Sequence, residues 1–169
     1  MQEVNIYKNL FSVEDRVALV TGGGTGIGKI IAEVLAKSGS KVYITSRKLD
    51  VIKKTAEEIN LTKPKYNVNF FSSDISSENG INELVDEFIN NEKYLDILIN
   101  NSGVSWGAPL GNFPYHAWDR VMKLNVAGLF HLTQCLLPYL SKKASLDYPS
   151  RIINIGSVMG LSLIHISEP

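Results

Sequence analysis

Thr21-Gly22-Gly23-Gly24-Thr25-Gly26-Ile27-Gly28 closes an apolar run and opens a stretch of helical spacing. Glycines there permit a tight turn and let the backbone approach a bound group closely. The helix start that follows presents unpaired N–H groups and a positive dipole end. Together these features bind phosphate, and in this strand–turn–helix context the pyrophosphate of a dinucleotide. A plain flexible turn is the bland alternative. About 20 residues further on, a site built for NAD(H) places an acid against the ribose 2′-hydroxyl. The chain reads Thr45-Ser46-Arg47-Lys48 at that point, and its next acid, Asp50, falls in the following helical segment. Arg47 can pair with a 2′-phosphate through its planar guanidinium, and Lys48 adds positive charge. NADP(H) is therefore favoured over NAD(H), the alternative being a solvated basic turn.

Other chemistry is scarce. His116, His131 and His165 have no partners at metal-ligand spacing, so no metal is expected. Cys135 is the only cysteine, which excludes an internal disulfide. It sits near Leu132, Leu136 and Leu137 and reads as a buried structural thiol. Lys plus Arg and Asp plus Glu each number 17, so no global field recruits nucleic acid or an anionic membrane. No run approaches the roughly 18 apolar residues of a membrane span. Met1 to Leu10 lacks a basic stretch followed by an apolar one, so a cytoplasmic location is expected.

The elements that must position these residues alternate in type. Strand-like runs cover Arg16 to Thr21, Lys41 to Ser46, Asn67 to Phe71, Leu95 to Ile99 and Arg151 to Ile155. Helical spacing covers Gly26 to Ser38 (Ile27, Ile30, Ile31, Val34, Leu35), Leu49 to Asn60, and Glu78 to Asn91 (Ile81, Leu84, Val85, Phe88, Ile89). A long helix is predicted over Trp118 to Leu140, with Val121, Leu124, Leu129, Leu132 and Leu136 buried. Pro138 predicts a kink or an early stop there. Such alternation gives an α/β fold, a Rossmann-type doubly wound parallel sheet in three α/β/α layers, with ligands bound beyond the carboxyl ends of the strands. The expected organisation is an extension over 1–15, a dinucleotide-binding domain over 16–160 and an extraneous tail over 161–169.

The spacing Thr21-Gly22-x-x-x-Gly26-x-Gly28 resembles that of the classical short-chain dehydrogenase/reductase family. Asp74-Ile75, after the third strand, is similar to the pair that contacts adenine in that family. Asn100-Asn101-Ser102-Gly103 resembles its Asn-Asn-Ala-Gly, with Ser102 in place of alanine. Asn125 and Ser157 match the asparagine and serine of the catalytic tetrad. Val104 to Pro109, Trp118 to Met122 and Pro149 to Ser157 further resemble the rhamnolipid-type 3-oxoacyl (β-ketoacyl) reductases.

The resemblance implies five of the usual seven strands, an NADP(H)-dependent oxidoreductase and a homo-oligomer. It implies a small carbonyl or acyl-thioester substrate, and a cofactor held by Thr21, Gly22, Gly24, Thr25, Gly26, Ile27, Gly28, Arg47, Asp74, Ile75, Asn101, Ser102 and Gly103. In the family a tyrosine follows the serine by about a dozen residues and a lysine follows four later, which falls at or beyond position 170. Tyr139 and Lys143 have the right mutual spacing but precede the serine, and read as chance. Leu161 to Pro169 resembles a translated sequencing adaptor; a natural loop is the alternative. The expectation is an enzyme whose present chain is inactive and poorly soluble. A non-catalytic nucleotide-binding module, or action on another ketone or secondary alcohol, remains open.

Overall fold

Apolar runs that end in glycine or polar turns become strands, and the repeats between them become helices. The computed structural model describes residues 11–109 and 111–157. Its order is β1 (Val17–Thr21), α1 (Gly26–Lys37), β2 (Lys41–Ser46), α2 (Leu49–Asn60), β3 (Asn69–Ser72), α3 (Glu78–Asn91), β4 (Ile97–Asn100), α4 (Tyr115–Met122), a π-helical stretch (Lys123–Gly128), α5 (Leu129–Ser141) and β5 (Arg151–Asn154). The strands form one sheet in the order β3-β2-β1-β4-β5, and every pairing is parallel. The expected tail over 161–169 lies outside the described residues.

Alternating side chains send the strands into two cores. On one face Leu19, Tyr43, Phe71 and Leu98 pack with Leu84 and Phe88 of α3 and Leu132 and Leu136 of α5. On the other, Val20, Val42, Ile44 and Ile99 pack with Ala32 and Ala36 of α1 and Ile52 and Ala56 of α2. Three layers result, with β1 and β4 at the centre. Buried Asp96 joins these strands at their amino ends, accepting from Val17 N at 2.8 Å, with the Arg16 guanidinium 3.9 Å away. Among the described residues, no helix is long and apolar enough to cross a membrane.

Two local readings change. The stripe expected to bury α1 does not: Ile27, Ile30 and Val34 are 61%, 61% and 57% exposed, while Gly28, Ala32 and Ala36 face the sheet. The helix leaves the β1 turn so tightly that a Cβ on Gly28 would collide with the Gly22 carbonyl, and only small residues fit that face. Pro138 does not stop the long helix, which runs on to Ser141, because only its last turn lies beyond. Ile152, Ile153 and Ile155 are about two-fifths exposed (43%, 44% and 38%), since β5 pairs only with β4 among the described residues. Tyr139 and Lys143 lie near the amino ends of the strands. Leu95 N donates to the Tyr139 carbonyl, and Lys143 sits over the rings of Tyr94 and Tyr148.

Cys135 is half-buried against the α3 core, with its sulfur 3.7 Å from His131 Nε2. Burial, and secondarily the charge of Glu78, push its thiol pKa up. The reactive form is the thiolate, so at pH 8 a smaller fraction is ionised than in a free thiol. We expect Cys135 to react with a disulfide reagent at pH 8 more slowly than glutathione does; an equal or faster rate contradicts this reading.

Candidate functional site

Strand order reverses between β1 and β4, and the loops leaving their carboxyl ends diverge to opposite faces. Such a divergence opens a crevice. Here it is a cavity of about 270 Å³. Of the residues singled out from sequence, Gly22, Thr25, Arg47, Asp74, Ile75, Asn101, Ser102 and Gly103 line it. Thr21, Gly24, Gly26, Ile27 and Gly28 form the turn and helix start without lining it, and neither Asn125 nor Ser157 is among its walls.

The turn after β1 and the loop after β4 are tied together. The Thr21 hydroxyl, buried at 1% exposure, accepts from Asn101 N and Ser102 N, both at 2.9 Å, and donates to the Ile99 carbonyl at 3.3 Å. In return the Asn101 side-chain amide donates to the carbonyls of Thr21 (3.0 Å) and Gly22 (3.3 Å). Gly22 has φ +65°, and a Cβ there would fall 2.9 Å from Asn101 Nδ2, so glycine is required twice over. Thr25 then begins α1 in extended conformation without a side-chain cap, and no acid occupies the first turn. The first amides of α1 are thus left for a ligand, as helix starts leave them.

At the end of β2, Arg47 is exposed and forms no ion pair among the described residues. Its carbonyl accepts from Ser72 Oγ at 3.4 Å. The hydroxyls of Thr45 and Ser46 just before it are buried and have no partner among the described residues. Asp74 accepts from Ser76 N (3.0 Å) and Ser76 Oγ (2.7 Å) through Oδ1, and its other oxygen carries no hydrogen bond among the described residues.

Asn125 lies inside the π-helical stretch, and both ends of its side-chain amide are engaged. Its Oδ1 accepts from Val104 N and its Nδ2 donates to the Val104 carbonyl, both at 2.9 Å. The amide thus fastens the loop after β4 to the long helix. Ser157 stands exposed, three residues past the end of β5. Thr45, Ser46, Ser73, Val104 and Leu124 also line the cavity, although sequence reasoning assigned none of them to the site. Each adjoins or closely precedes a residue that was assigned, and that adjacency was the available signal.

The family model described as short chain dehydrogenase matches residues 16–166. The chain belongs to this family. Among short chain dehydrogenases it is 42% identical over 152 residues to the rhamnolipids biosynthesis 3-oxoacyl-(acyl-carrier-protein) reductase of Pseudomonas aeruginosa, covering 90% of this chain and 58% of that protein. Among solved structures, the Pseudomonas aeruginosa RhlG/NADP active-site complex superposes with a TM-score of 0.85 at 42% identity, covering 90% of this chain and 59% of that one. The L-sorbose reductase of Gluconobacter frateurii, complexed with NADPH and L-sorbose, has a TM-score of 0.79 at 25% identity, covering 86% of this chain and 53% of that one. The chain thus spans between half and three-fifths of the length of these relatives.

Replacing Thr21 with Val keeps the shape but strips two backbone N–H groups of their acceptor. Unsatisfied donors of this kind carry a desolvation penalty. We expect Thr21→Val to lower unfolding stability by about 2 kcal/mol in urea titration, with Thr21→Ser close to wild type. A neutral Val substitution contradicts the assigned role of this hydroxyl.

Proposed function

We propose that this chain is the dinucleotide-binding part of an NADP(H)-dependent oxidoreductase that interconverts a carbonyl and an alcohol, with a 3-oxoacyl thioester as substrate. The observation that carries the reading is the pairing of an uncapped, acid-free start of α1 with the unpaired Arg47 at the far end of the same cavity region. The residues present fit the cofactor. Gly22 lets the turn pack against Asn101 and Ser102 beside the cavity, and buried hydroxyls without partners among the described residues stand at Thr45 and Ser46.

On this reading the start of α1 holds the pyrophosphate, Arg47 holds the 2′-phosphate, and Asp74 and Ile75 hold the adenine. Thr21 and Asn101 keep the phosphate turn against the loop of Ser102 and Gly103, which flanks the nicotinamide half. When bound, the dinucleotide supplies the hydride chemistry. Ser157 donates a hydrogen bond to the substrate carbonyl oxygen. Asn125 positions the Val104 segment beside it and helps hold a water for proton relay. In the whole protein a tyrosine donates the proton. Its free pKa of about 10 must be lowered by a neighbouring cation, and a lysine serves as that cation. The 169-residue chain alone accordingly has negligible reductase activity. The similarity to the rhamnolipid-type reductase supports the thioester substrate.

A homo-oligomer, in the cytoplasm, completes the proposal. Trp118, Met122, Val126, Phe130 and Leu137 are exposed on α4, the π-helical stretch and α5, and no Asp, Glu, Lys or Arg stands between Lys123 and Lys142. An outer helix face of this composition favours contact with a like face.

The test is fluorescence titration of the chain at low protein concentration. We expect NADPH to bind at least about tenfold more tightly than NADH, the scale of a charge-assisted contact. Arg47→Glu should abolish that preference while leaving NADH binding in place. Equal affinities in the wild type overturn the NADP(H) assignment, and absence of binding to both overturns the function.

A further inference from the structure

Thr55 belongs to no motif and lies in the interior of α2, where threonine is a poor helix former. A Thr hydroxyl in a helix commonly turns back to a carbonyl of its own preceding turn. This one leaves its helix: Oγ1 donates to the Gly24 carbonyl at 2.7 Å, and Thr55 is only 3% exposed. Gly24 is part of the phosphate turn and packs on α2, where a Cβ would lie 3.4 Å from Val51 Cγ1.

The direction of this bond matters more than its strength. The Gly24 carbonyl and the Thr25 N–H belong to one planar trans peptide and point in opposite directions. Fixing the carbonyl on α2 therefore turns the Thr25 N–H away from α2, and Thr25 lines the cavity. The neighbouring carbonyls of Thr21 and Gly22 are taken up by Asn101, and Gly23 N donates to the Thr45 carbonyl at 3.2 Å. With Thr55 in place, each outward-capable carbonyl of Thr21, Gly22 and Gly24 is bonded to protein. None of these three is left to turn its negative end toward an anion.

We propose that Thr55 is a positioning residue for phosphate recognition, acting through the Gly24–Thr25 peptide. The inference rests on the cofactor reading above and adds a residue to it. The test uses the chain with two probes: NADPH, and 2′-AMP, which keeps the adenine and 2′-phosphate but lacks the pyrophosphate. Thr55→Val preserves the branched shape and removes the donor, and Thr55→Ser preserves the donor. We expect Thr55→Val to weaken NADPH about tenfold, the upper range for a buried neutral hydrogen bond, with 2′-AMP affinity unchanged and Thr55→Ser like wild type. Thr55→Ala, which favours helix, should give the same split, so the result does not depend on Val packing well. Unchanged NADPH affinity in these variants overturns the Thr55 assignment alone. Equal loss on both probes reduces Thr55 to general packing and also overturns it. Failure of the wild type to bind NADPH removes the cofactor reading, and this inference falls with it.

Discussion

The site depends on one buried hydroxyl at the end of the first strand. Thr21 accepts two backbone N–H groups from a loop 80 residues away in sequence and returns a bond to that loop's own strand. The side-chain amide of Asn101 reciprocates on the Thr21 and Gly22 carbonyls. The turn after β1 and the loop after β4 thereby behave as one piece, although they leave the sheet in opposite directions. Gly22 and Gly28 are needed because that piece leaves no room for a Cβ. Small residues on the inner face of α1 extend the same constraint down the helix.

Electrostatics follow from this geometry. A cavity walled by peptide groups attracts or repels an anion according to which end of each peptide faces inward. Side chains from two distant places hold the carbonyl ends here: Asn101 after β4 and Thr55 from α2. The uncapped start of α1 then adds its dipole to the amides. Arg47 contributes a full charge at the opposite end. The net charge of the chain is zero, so the field in the cavity is local and arises from arranged dipoles and the basic pair Arg47 and Lys48.

Much of this was legible in the residues. The glycine turn, the parallel order and the bounds of α2 and α3 follow from local pattern, because strand and helix periods differ and glycine marks the turns. The side of α1 that faces the sheet was not legible. Hydrophobic spacing favours Ile27, Ile30 and Val34, whereas the close approach of backbone to backbone selects Gly28, Ala32 and Ala36. Pro138 was over-read, since a proline so near a helix end costs little regular structure. Asn125 was read as part of the catalytic set, and the bonds its amide makes to Val104 are ones that spacing alone does not reveal. Thr55 carried no signal, because its partner lies 31 residues away on another element.

The π-helical stretch Lys123–Gly128 fits one residue more into its turn than an α-helix does. It sits where Gly128 presses against the Ile75 carbonyl and Asn125 reaches Val104. The extra residue is taken up within the stretch itself, and Ala117 before it and Leu132 after it both point inward. A one-codon deletion there would restore regular winding and leave the flanking halves in phase, since the π-helical stretch spreads one more residue over about the same total rotation. Ala117 and Leu132 would both still face inward, and what would be lost is the wide turn from which Asn125 reaches Val104. In this segment the wide turn thus serves the loop contact, while the burial of the two flanking halves is indifferent to it.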